Sequence, residues 1–265
     1  KARGATNAVF SLTDAEAARG VATHSSGNHA AALAHAARLR GIPAHIVMPS
    51  NSSAVKIRAV EGYGGRITFC APTATAREET CARVIGETGA TLIHPFVDER
   101  VMAGQGTAAL ELLHGIPDLD AIVCPVGGGG LLAGTAVAAK SLRPQLRIVA
   151  AEPAGADDAA RSFAAGRRLP VGHPDTIADG LRASIGEPNF ALMRRHVDAV
   201  VTVSEDAIVA ALRTIWETLK IVIEPSAAVA YAALLEDKLS VTRRRVALLL
   251  TGGNVDLDAL PWIGR

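Results

Sequence analysis

Short runs of β-branched residues alternate along the chain with longer alanine-rich stretches, and this alternation constrains the fold more than any other feature. The short runs suit buried parallel strands, whereas the longer stretches repeat their apolar residues with helical spacing. Strand, helix and strand in repetition predict an α/β fold with parallel sheets and right-handed crossovers. The predicted strands are 44–48, 66–69, 121–124, 147–150 and 246–251, and the predicted helices are 28–40, 53–61, 73–88, 103–114, 130–142, 156–165, 205–219 and 225–236.

The charge balance and the aromatic content exclude several classes of protein. With 27 basic and 26 acidic side chains, the chain has no basic excess to neutralise nucleic-acid phosphates, and its two Trp, two Tyr and five Phe offer bases little to stack on. No run of about 18 residues is apolar throughout, so we expect no membrane partner. The three cysteines, Cys70, Cys81 and Cys124, have neither metal nor redox spacing, which favours a reducing, cytoplasmic location.

Four consecutive glycines, from Gly127 to Gly130, follow a predicted strand and precede a predicted helix. Without side chains, the backbone N–H groups of such a turn can converge on an anion, and the helix N-terminus adds about half a positive charge. The spacing differs from that of a dinucleotide-binding loop, because Leu132 stands where the third glycine would be. This argues against a nicotinamide dehydrogenase. An ordinary tight turn needs only one or two glycines, so a phosphate site is the favoured interpretation.

Two polar segments also adjoin predicted elements. Segment 23–30 crowds serine, asparagine and histidine side chains around one glycine just before a predicted helix. One such residue would suffice as an N-cap, so the group suits the binding of a carboxylate or a ring hydroxyl. Segment 250–254 ends the last predicted strand, where ligand crevices of open α/β sheets lie. An ordinary strand-ending turn explains that second segment equally well.

Acidic residues after another predicted strand allow two interpretations. The carboxylates of Glu152 and Asp158, with a loop carbonyl between them, could hold a hard divalent cation. Aspartates at this place could equally act as N-caps of the helix that follows. The first residue, Lys1, is by itself interpreted as a solvated charge at a chain terminus.

Taken in their order along the chain, these segments resemble motifs of the fold-type II pyridoxal-phosphate enzymes, and more narrowly those of the serine racemase and serine/threonine dehydratase family. The motifs are Lys-x-Arg-Gly-Ala at 1–5, Ser-Ser-Gly-Asn-His at 25–29, the glycines at 127–130, Ala-Glu-Pro-x-x-Ala-Asp-Asp at 151–158 and Thr-Gly-Gly-Asn at 251–254. The resemblance covers essentially the whole chain. It implies a tryptophan synthase β-like architecture, with two open twisted, mostly parallel sheets flanked by helices.

The resemblance implies that Lys1 is the Schiff-base lysine and, after substrate exchange, the base at the substrate Cα. The four glycines would hold the cofactor phosphate. The amide of Asn28 would bind the ring hydroxyl of the cofactor, and the neutral hydroxyl of Thr251 would bind its pyridine nitrogen. The implied cofactor-binding residues, besides Lys1, are Asn28, Gly127, Gly128, Gly129, Gly130 and Thr251. The implied substrate-binding residues are Ser25, Asn28 and the turn amides around His29 for the carboxylate, and Arg77 and Ser184 for the distal part.

Ser26 is the residue that separates two reactions within this family. A racemase needs an acid and a base on opposite faces of a planar carbanion, and the resemblance gives these roles to Lys1 and Ser26. Dehydratases often carry alanine at the serine position. Phe96, in contrast, stands where similar racemases have asparagine, and His-Pro-Phe is more typical of dehydratases. Elimination is therefore expected whether or not racemization accompanies it.

The resemblance also implies a metal site and a division into domains. Glu152, the carbonyl of Ala156 and Asp158 match a divalent-cation site, for Mg²⁺, Ca²⁺ or Mn²⁺, that would order a loop rather than touch substrate. Residues 20–97 would form a small domain, and 1–19 with 98–265 a large one, with the cofactor in the cleft between them. Several dozen residues precede the lysine in family members, so we expect an N-terminal part of the large domain to be missing from this sequence. A homodimer is implied as well.

The resulting hypothesis is an enzyme that acts on small hydroxy amino acids. It would remove water and ammonia from L-serine or L-threonine to give 2-oxo acids, and it would interconvert L- and D-serine. One alternative is a hydroxyaspartate dehydratase of the same family, which would share Ser26 and the metal site. A different kind of alternative is a non-catalytic relative that keeps only its affinity for a ligand or metal.

Overall fold

Two four-stranded sheets, each made of parallel strands only, form the framework of the chain. The computed structural model describes residues 1–239 and 244–262. The chain divides into two units, Lys1–Gly104 and Gln105–Arg265, and each sheet belongs to one of them. Among the described helices, none is long and apolar enough to cross a lipid bilayer.

The first unit contains the sheet of strand order β3-β2-β1-β4. Its alanine-rich helices bury small side chains closely, and α1 packs on α3. The elements, in chain order, are α1 Ala2–Phe10, α2 Asp14–Ala18, β1 Val21–His24, α3 Asn28–Arg40, β2 Ala44–Pro49, α4 Ala54–Gly62, β3 Arg66–Cys70, α5 Ala74–Thr88 and β4 Thr91–Leu92; α6, Glu99–Gly115, begins in this unit and continues into the next.

The second unit contains the sheet of strand order β7-β6-β5-β8. One of its two central strands, β5, is buried along its whole length, as expected for a parallel strand covered on both faces. The elements are β5 Ala121–Pro125, α7 Gly130–Leu142, β6 Arg147–Pro153, a 3₁₀ turn Ala154–Ala156, α8 Asp158–Ala165, a second 3₁₀ turn Asp179–Leu181, α9 Glu187–His196, β7 Ala199–Val203, α10 Glu205–Leu219, α11 Pro225–Leu235 and β8 Val246–Leu248.

Local sequence signals explain where several helices begin and end. Thr73 and Ser204 cap α5 and α10, because each side chain accepts a hydrogen bond from a first-turn amide. Helix α3 ends at Gly41, which adopts a left-handed conformation with φ of 73° that glycine tolerates without cost. Ser204 therefore starts α10 directly after β7, and Gly41 ends α3 three residues before β2.

The α/β class and the two flanked parallel sheets are confirmed. The last predicted strand, 246–251, is too long, because the paired strand ends at Leu248 and a loop follows. Three strands and three helices were not predicted: β1, β4, β7, α1, α2 and α9. The proposed domain limits, 20–97 against 1–19 with 98–265, stay a prediction; within this structure, residues 1–19 belong to the first unit.

Candidate functional site

Lys1 lies at the carboxyl edge of the first sheet. Its backbone carbonyl accepts from the Ala5 amide at 3.0 Å, which starts the first turn of α1. Its Nζ donates to the carbonyl of Pro95 at 3.4 Å, three residues beyond the end of β4. Lys1 is exposed, as a solvated charge would be, and this bond places its ammonium beside the segment 93–97.

The serine-rich turn between β1 and α3 lies at the same edge. The amide of Ser25 donates to Val47 of the neighbouring strand at 3.1 Å, and its Oγ accepts from the Gly27 amide at 3.4 Å. Ser25, Ser26 and Asn28 are half-buried, so their polar groups are held by the fold but still reachable. The Lys56 side chain lies beside Gly27, with its Nζ 3.5 Å from the place a Cβ would occupy.

Three histidines surround this edge, and burial keeps them neutral. His29 is 1% exposed, and burial, reinforced by the nearby charge of Lys1, lowers its pKa to about 3. Burial likewise lowers the pKa of His94 to about 4. It also lowers the pKa of His24, whose ring contacts the ring of His94 edge-on with 5.2 Å between the ring centres. Of these only His29 was a predicted site residue. His24 carried a usable signal, since it directly precedes the two serines at the end of β1.

Arg77, on α5, belongs to the same neighbourhood. Burial is the main cause of the low pKa of His24, and the charge of Arg77 is the next contributor. The side chain is half-buried, and its Nε donates to the Thr73 carbonyl at 3.4 Å. A guanidinium fixed near the serine-rich turn is able to bind a second anionic group there.

The glycine turn follows β5 in the second unit and opens α7. Its carbonyl side is fastened, because the Gly128 carbonyl accepts from the Gly186 amide at 3.1 Å and from Asn189 Nδ2 at 2.5 Å. A Cβ on Gly127 would lie 2.8 Å from the Leu181 Cα, and Gly129 has a φ of 88° that other residues rarely adopt. No side chain among the described residues caps α7. The turn therefore fits a phosphate group bound by backbone amides.

Thr251 follows β8, which is the neighbour of β5 in the second sheet. Thr251 is exposed, and the loop after it is held by hydrogen bonds to Glu224. The Gly252 carbonyl accepts from the Glu224 amide at 2.8 Å, and Glu224 Oε2 accepts from the Asn254 amide at 3.2 Å. Thr251 and the glycine turn thus follow the carboxyl ends of adjacent strands, as the rule for open α/β sheets predicts.

Glu152, near the end of β6, and Asp158, the first residue of α8, are two buried carboxylates. Glu152 accepts from the amides of Ala160 and Ala159 at 2.6 and 3.2 Å, so this glutamate caps α8. The aspartate cap that the sequence allowed is not formed by Asp157, which stands at the N-cap position and makes no capping side-chain bond within the described part of the chain. Burial raises the pKa of Glu152 to about 8 and that of Asp158 to about 6. Asp158 Oδ1 is buried without a hydrogen-bond partner among the described residues. A cation beside these groups would stabilise the buried carboxylates in their charged form and would give Asp158 Oδ1 a partner.

The carboxylate pair is connected to Ser184, a predicted substrate-binding residue. Asp158 Oδ2 accepts from the Ile185 amide at 2.8 Å. The Ser184 Oγ itself accepts from the Val171 amide at 3.0 Å and so ties down the irregular stretch before it. Nowhere in residues 1–239 and 244–262 do three or more His, Cys, Asp or Glu side chains form a metal-binding group, so a cation here would rely on two carboxylates and carbonyls such as that of Ala156.

Known proteins resemble the chain over almost its full length. The sequence profile of the family described as pyridoxal-phosphate-dependent enzymes matches residues 1–252. The chain is 50% identical to the β-hydroxyaspartate dehydratase of Paracoccus denitrificans, over 99% of this chain and 83% of that protein. The solved structure of maize serine racemase has a TM-score of 0.95 at 48% identity and covers 97% and 80% of the two chains. The solved structure of the T.th. threonine deaminase has a TM-score of 0.92 at 44% identity, over 97% and 83%.

Proposed function

Because the chain belongs to the family of pyridoxal-phosphate-dependent enzymes, we propose that it eliminates water and ammonia from L-serine and L-threonine, and that it interconverts L- and D-serine. The observation that carries the proposal is the placement of Lys1 and the serine-rich turn at one edge of the first sheet, where β1 and β4 are paired. A base and a carboxylate-binding turn at one edge are what Cα proton transfer requires.

The residues proposed to hold the cofactor are those implied by the sequence motifs. Lys1 Nζ would be the covalent attachment point, and the amides of Gly127 to Gly130 would bind the phosphate. Asn28 would bind the ring hydroxyl and Thr251 the pyridine nitrogen. When bound, the cofactor withdraws electrons from the substrate Cα and so makes its proton removable. The crowded, side-chain-free glycine turn supports this assignment most directly.

The chain's own groups then control where the protons go. The Lys1 amine would take the proton from Cα on one face, and the Ser26 hydroxyl would return one to the other face to give D-serine. In the elimination, the β-hydroxyl leaves with a proton as water, and hydrolysis gives one pyruvate and one ammonia for each L-serine. The substrate carboxylate would be held by Ser25, Asn28 and the amides around His29. Arg77 and Ser184 would approach the distal part of the substrate.

Hydroxyaspartate is the second substrate with support. It carries an additional carboxylate, and the half-buried Arg77 guanidinium beside the serine-rich turn is suited to bind it. The 50% identical relative is a dehydratase of this compound. An assay of keto-acid and ammonia formation with L-serine, L-threonine and β-hydroxyaspartate as substrates separates the two functions, and a preference for β-hydroxyaspartate would identify the alternative function.

Replacing Ser26 by alanine is expected to lower D-serine formation from L-serine about 10²-fold, because the second face loses its proton donor. Pyruvate formation should change by only a few-fold. Both products are measured in one sample containing pyridoxal phosphate and Mg²⁺. Ser25→Ala is the matched control. It should weaken the binding of L-serine, slow the formation of both products equally and leave the ratio of D-serine to pyruvate unchanged. Equal losses of both products in Ser26→Ala would contradict the two-face assignment.

Glu152, the Ala156 carbonyl and Asp158 are proposed to bind Mg²⁺, Ca²⁺ or Mn²⁺. The unpartnered Asp158 Oδ1 supports the assignment, and the bond from the Ile185 amide to Asp158 Oδ2 indicates how a cation would order the segment next to Ser184. We also propose a homodimer and a cytoplasmic location. The three reduced cysteines support the latter.

Mg²⁺ at about a hundred times its Kd is expected to stabilise the protein by about 2.7 kcal/mol, because it binds the folded state only. Thermal melts with and without Mg²⁺ measure the effect as a shift in Tm. Asp158→Asn should remove the shift. Asp157→Asn should keep it, because Asp157 pairs with Arg161 on the surface at 2.7 Å. Equal shifts in both variants would place the cation elsewhere.

A further inference from the structure

His29 is a buried polar side chain whose position is not explained by packing. It stands on α3 among the apolar residues of the first unit, next to Ala30 and near Leu33, and is 1% exposed. Its Nδ1 is buried and has no hydrogen-bond partner among the described residues. A leucine would fill such a site without an unpaired nitrogen, so an imidazole needs a reason to be there.

The hydrogen bond between the His29 ring and Ile93 identifies the tautomer of the imidazole. Nε2 lies 3.0 Å from the carbonyl oxygen of Ile93. A carbonyl can only accept, so Nε2 carries the hydrogen and Nδ1 carries a lone pair. The low pKa of His29, caused chiefly by burial, agrees with a neutral ring that keeps this tautomer throughout the working pH range.

The bond from His29 fixes the segment on which Lys1 rests. The Ile93 amide donates to Ala22 of β1 at 2.9 Å, and the Ile93 carbonyl accepts from His29. Two residues later, the Pro95 carbonyl accepts from Lys1 Nζ. His94 Nδ1 accepts from the amides of Phe96 and Val97. Those two bonds lie within the segment 93–97 and do not connect it to another element.

We propose that the His29 side chain is a positioning residue that sets Lys1 relative to the serine-rich turn, by holding the Ile93 carbonyl through Nε2–H. His29 immediately follows Asn28 at the start of α3, and so one imidazole joins the turn proposed to bind substrate to the segment that bears the lysine. The role is separate from that of the amides around His29. It rests on the proposed function, in which Lys1 is the attachment point of pyridoxal phosphate.

Two amide substitutions test the role with one chemical group. The Gln Nε2 reaches about as far as the histidine Nε2, whereas the Asn Nδ2 reaches only as far as Nδ1. His29→Gln is therefore expected to keep the bond to Ile93, and His29→Asn to lose it. His29→Leu removes the donor while filling the apolar site.

The measurement is the rate at which Lys1 of the folded protein captures pyridoxal phosphate. Samples are quenched with borohydride at intervals, digested, and analysed by mass spectrometry for the modified lysine. Capture by His29→Gln should stay within about threefold of the unchanged protein. Capture by His29→Asn and His29→Leu should be slower by about tenfold or more, since small displacements of a reacting group are costly.

Each result has a distinct meaning. Equal capture rates in the Asn and Gln variants overturn the positioning role. A His29→Asn protein that loses its cooperative melt together with capture also overturns it, because His29 is then structural. If the unchanged protein captures no cofactor on Lys1, the proposed function itself fails, whatever the variants do.

Discussion

Replacing Lys1 by alanine is expected to lower the kcat of both racemization and elimination by about 10⁴-fold, the largest effect of any single substitution. The change removes the proposed attachment point of the cofactor and the proposed Cα base at once. The affinity for substrate should change far less, because the serine-rich turn and Arg77 are left in place. The measurement is initial rates of pyruvate and D-serine formation at saturating L-serine.

A second lysine serves as the control. Lys238 is exposed on the second unit, and Lys238→Ala should leave both rates within about twofold. A small primary amine added to the Lys1→Ala protein should restore part of the elimination, because it supplies the missing base. Comparable rates in Lys1→Ala and Lys238→Ala would rule out the role given to Lys1.

Alanine at Gly129 is expected to cost about 2–5 kcal/mol of unfolding free energy and to abolish cofactor retention. The φ of 88° strains any residue with a side chain, and the new Cβ would lie 2.9 Å from the Asn189 Cβ and 3.0 Å from the Ile185 Cγ1. Either α7 or the segment at Asn189 must move, and the amides proposed to bind the phosphate move with it. Chemical denaturation gives the free energy, and gel filtration followed by absorbance gives the retained cofactor.

Gly172 separates the two costs. Its φ is 68°, but a Cβ there would meet nothing within 4 Å. Gly172→Ala should therefore lose only about 1 kcal/mol from the backbone conformation and should retain the cofactor. If Gly129→Ala is no worse than Gly172→Ala in both measurements, the glycine turn is an ordinary connection between β5 and α7.

The sequence predicted those elements whose limits are set by residues close to them in the sequence. Helices over 28–40, 130–142 and 205–219 have the predicted limits, because their alanine-rich spacing and their glycine or serine ends act locally. The predicted strands in the centres of both sheets are also present. Strands β1, β4 and β7 were missed. Strand β4 has only two residues and β1 has four with a polar end, whereas β7 has a β-branched run that could have been recognised.

The sequence indicates candidate site residues where unusual residue types cluster, and not where an ordinary backbone group at a distant position is the partner. Ser25, Asn28 and the four glycines stand out by residue type. The carbonyl of Pro95, which receives the Lys1 ammonium, leaves no signature in a sequence, and its partner is 94 positions away. Glu152 was recognised as an acidic candidate, but its bonds to the amides of α8 depend on how β6 and α8 meet.

Strand order in the second sheet has a consequence for the path of folding. The glycine turn joins β5 directly to α7, and the residues that fasten it, Gly186 and Asn189, follow it by no more than 61 positions. Strand β8, which presents Thr251, must instead pair Ala121 with Val246 and close a loop of more than a hundred residues. In an emerging chain, the glycine turn proposed to bind the phosphate is therefore completed before β8 brings in Thr251, the residue proposed to meet the ring nitrogen.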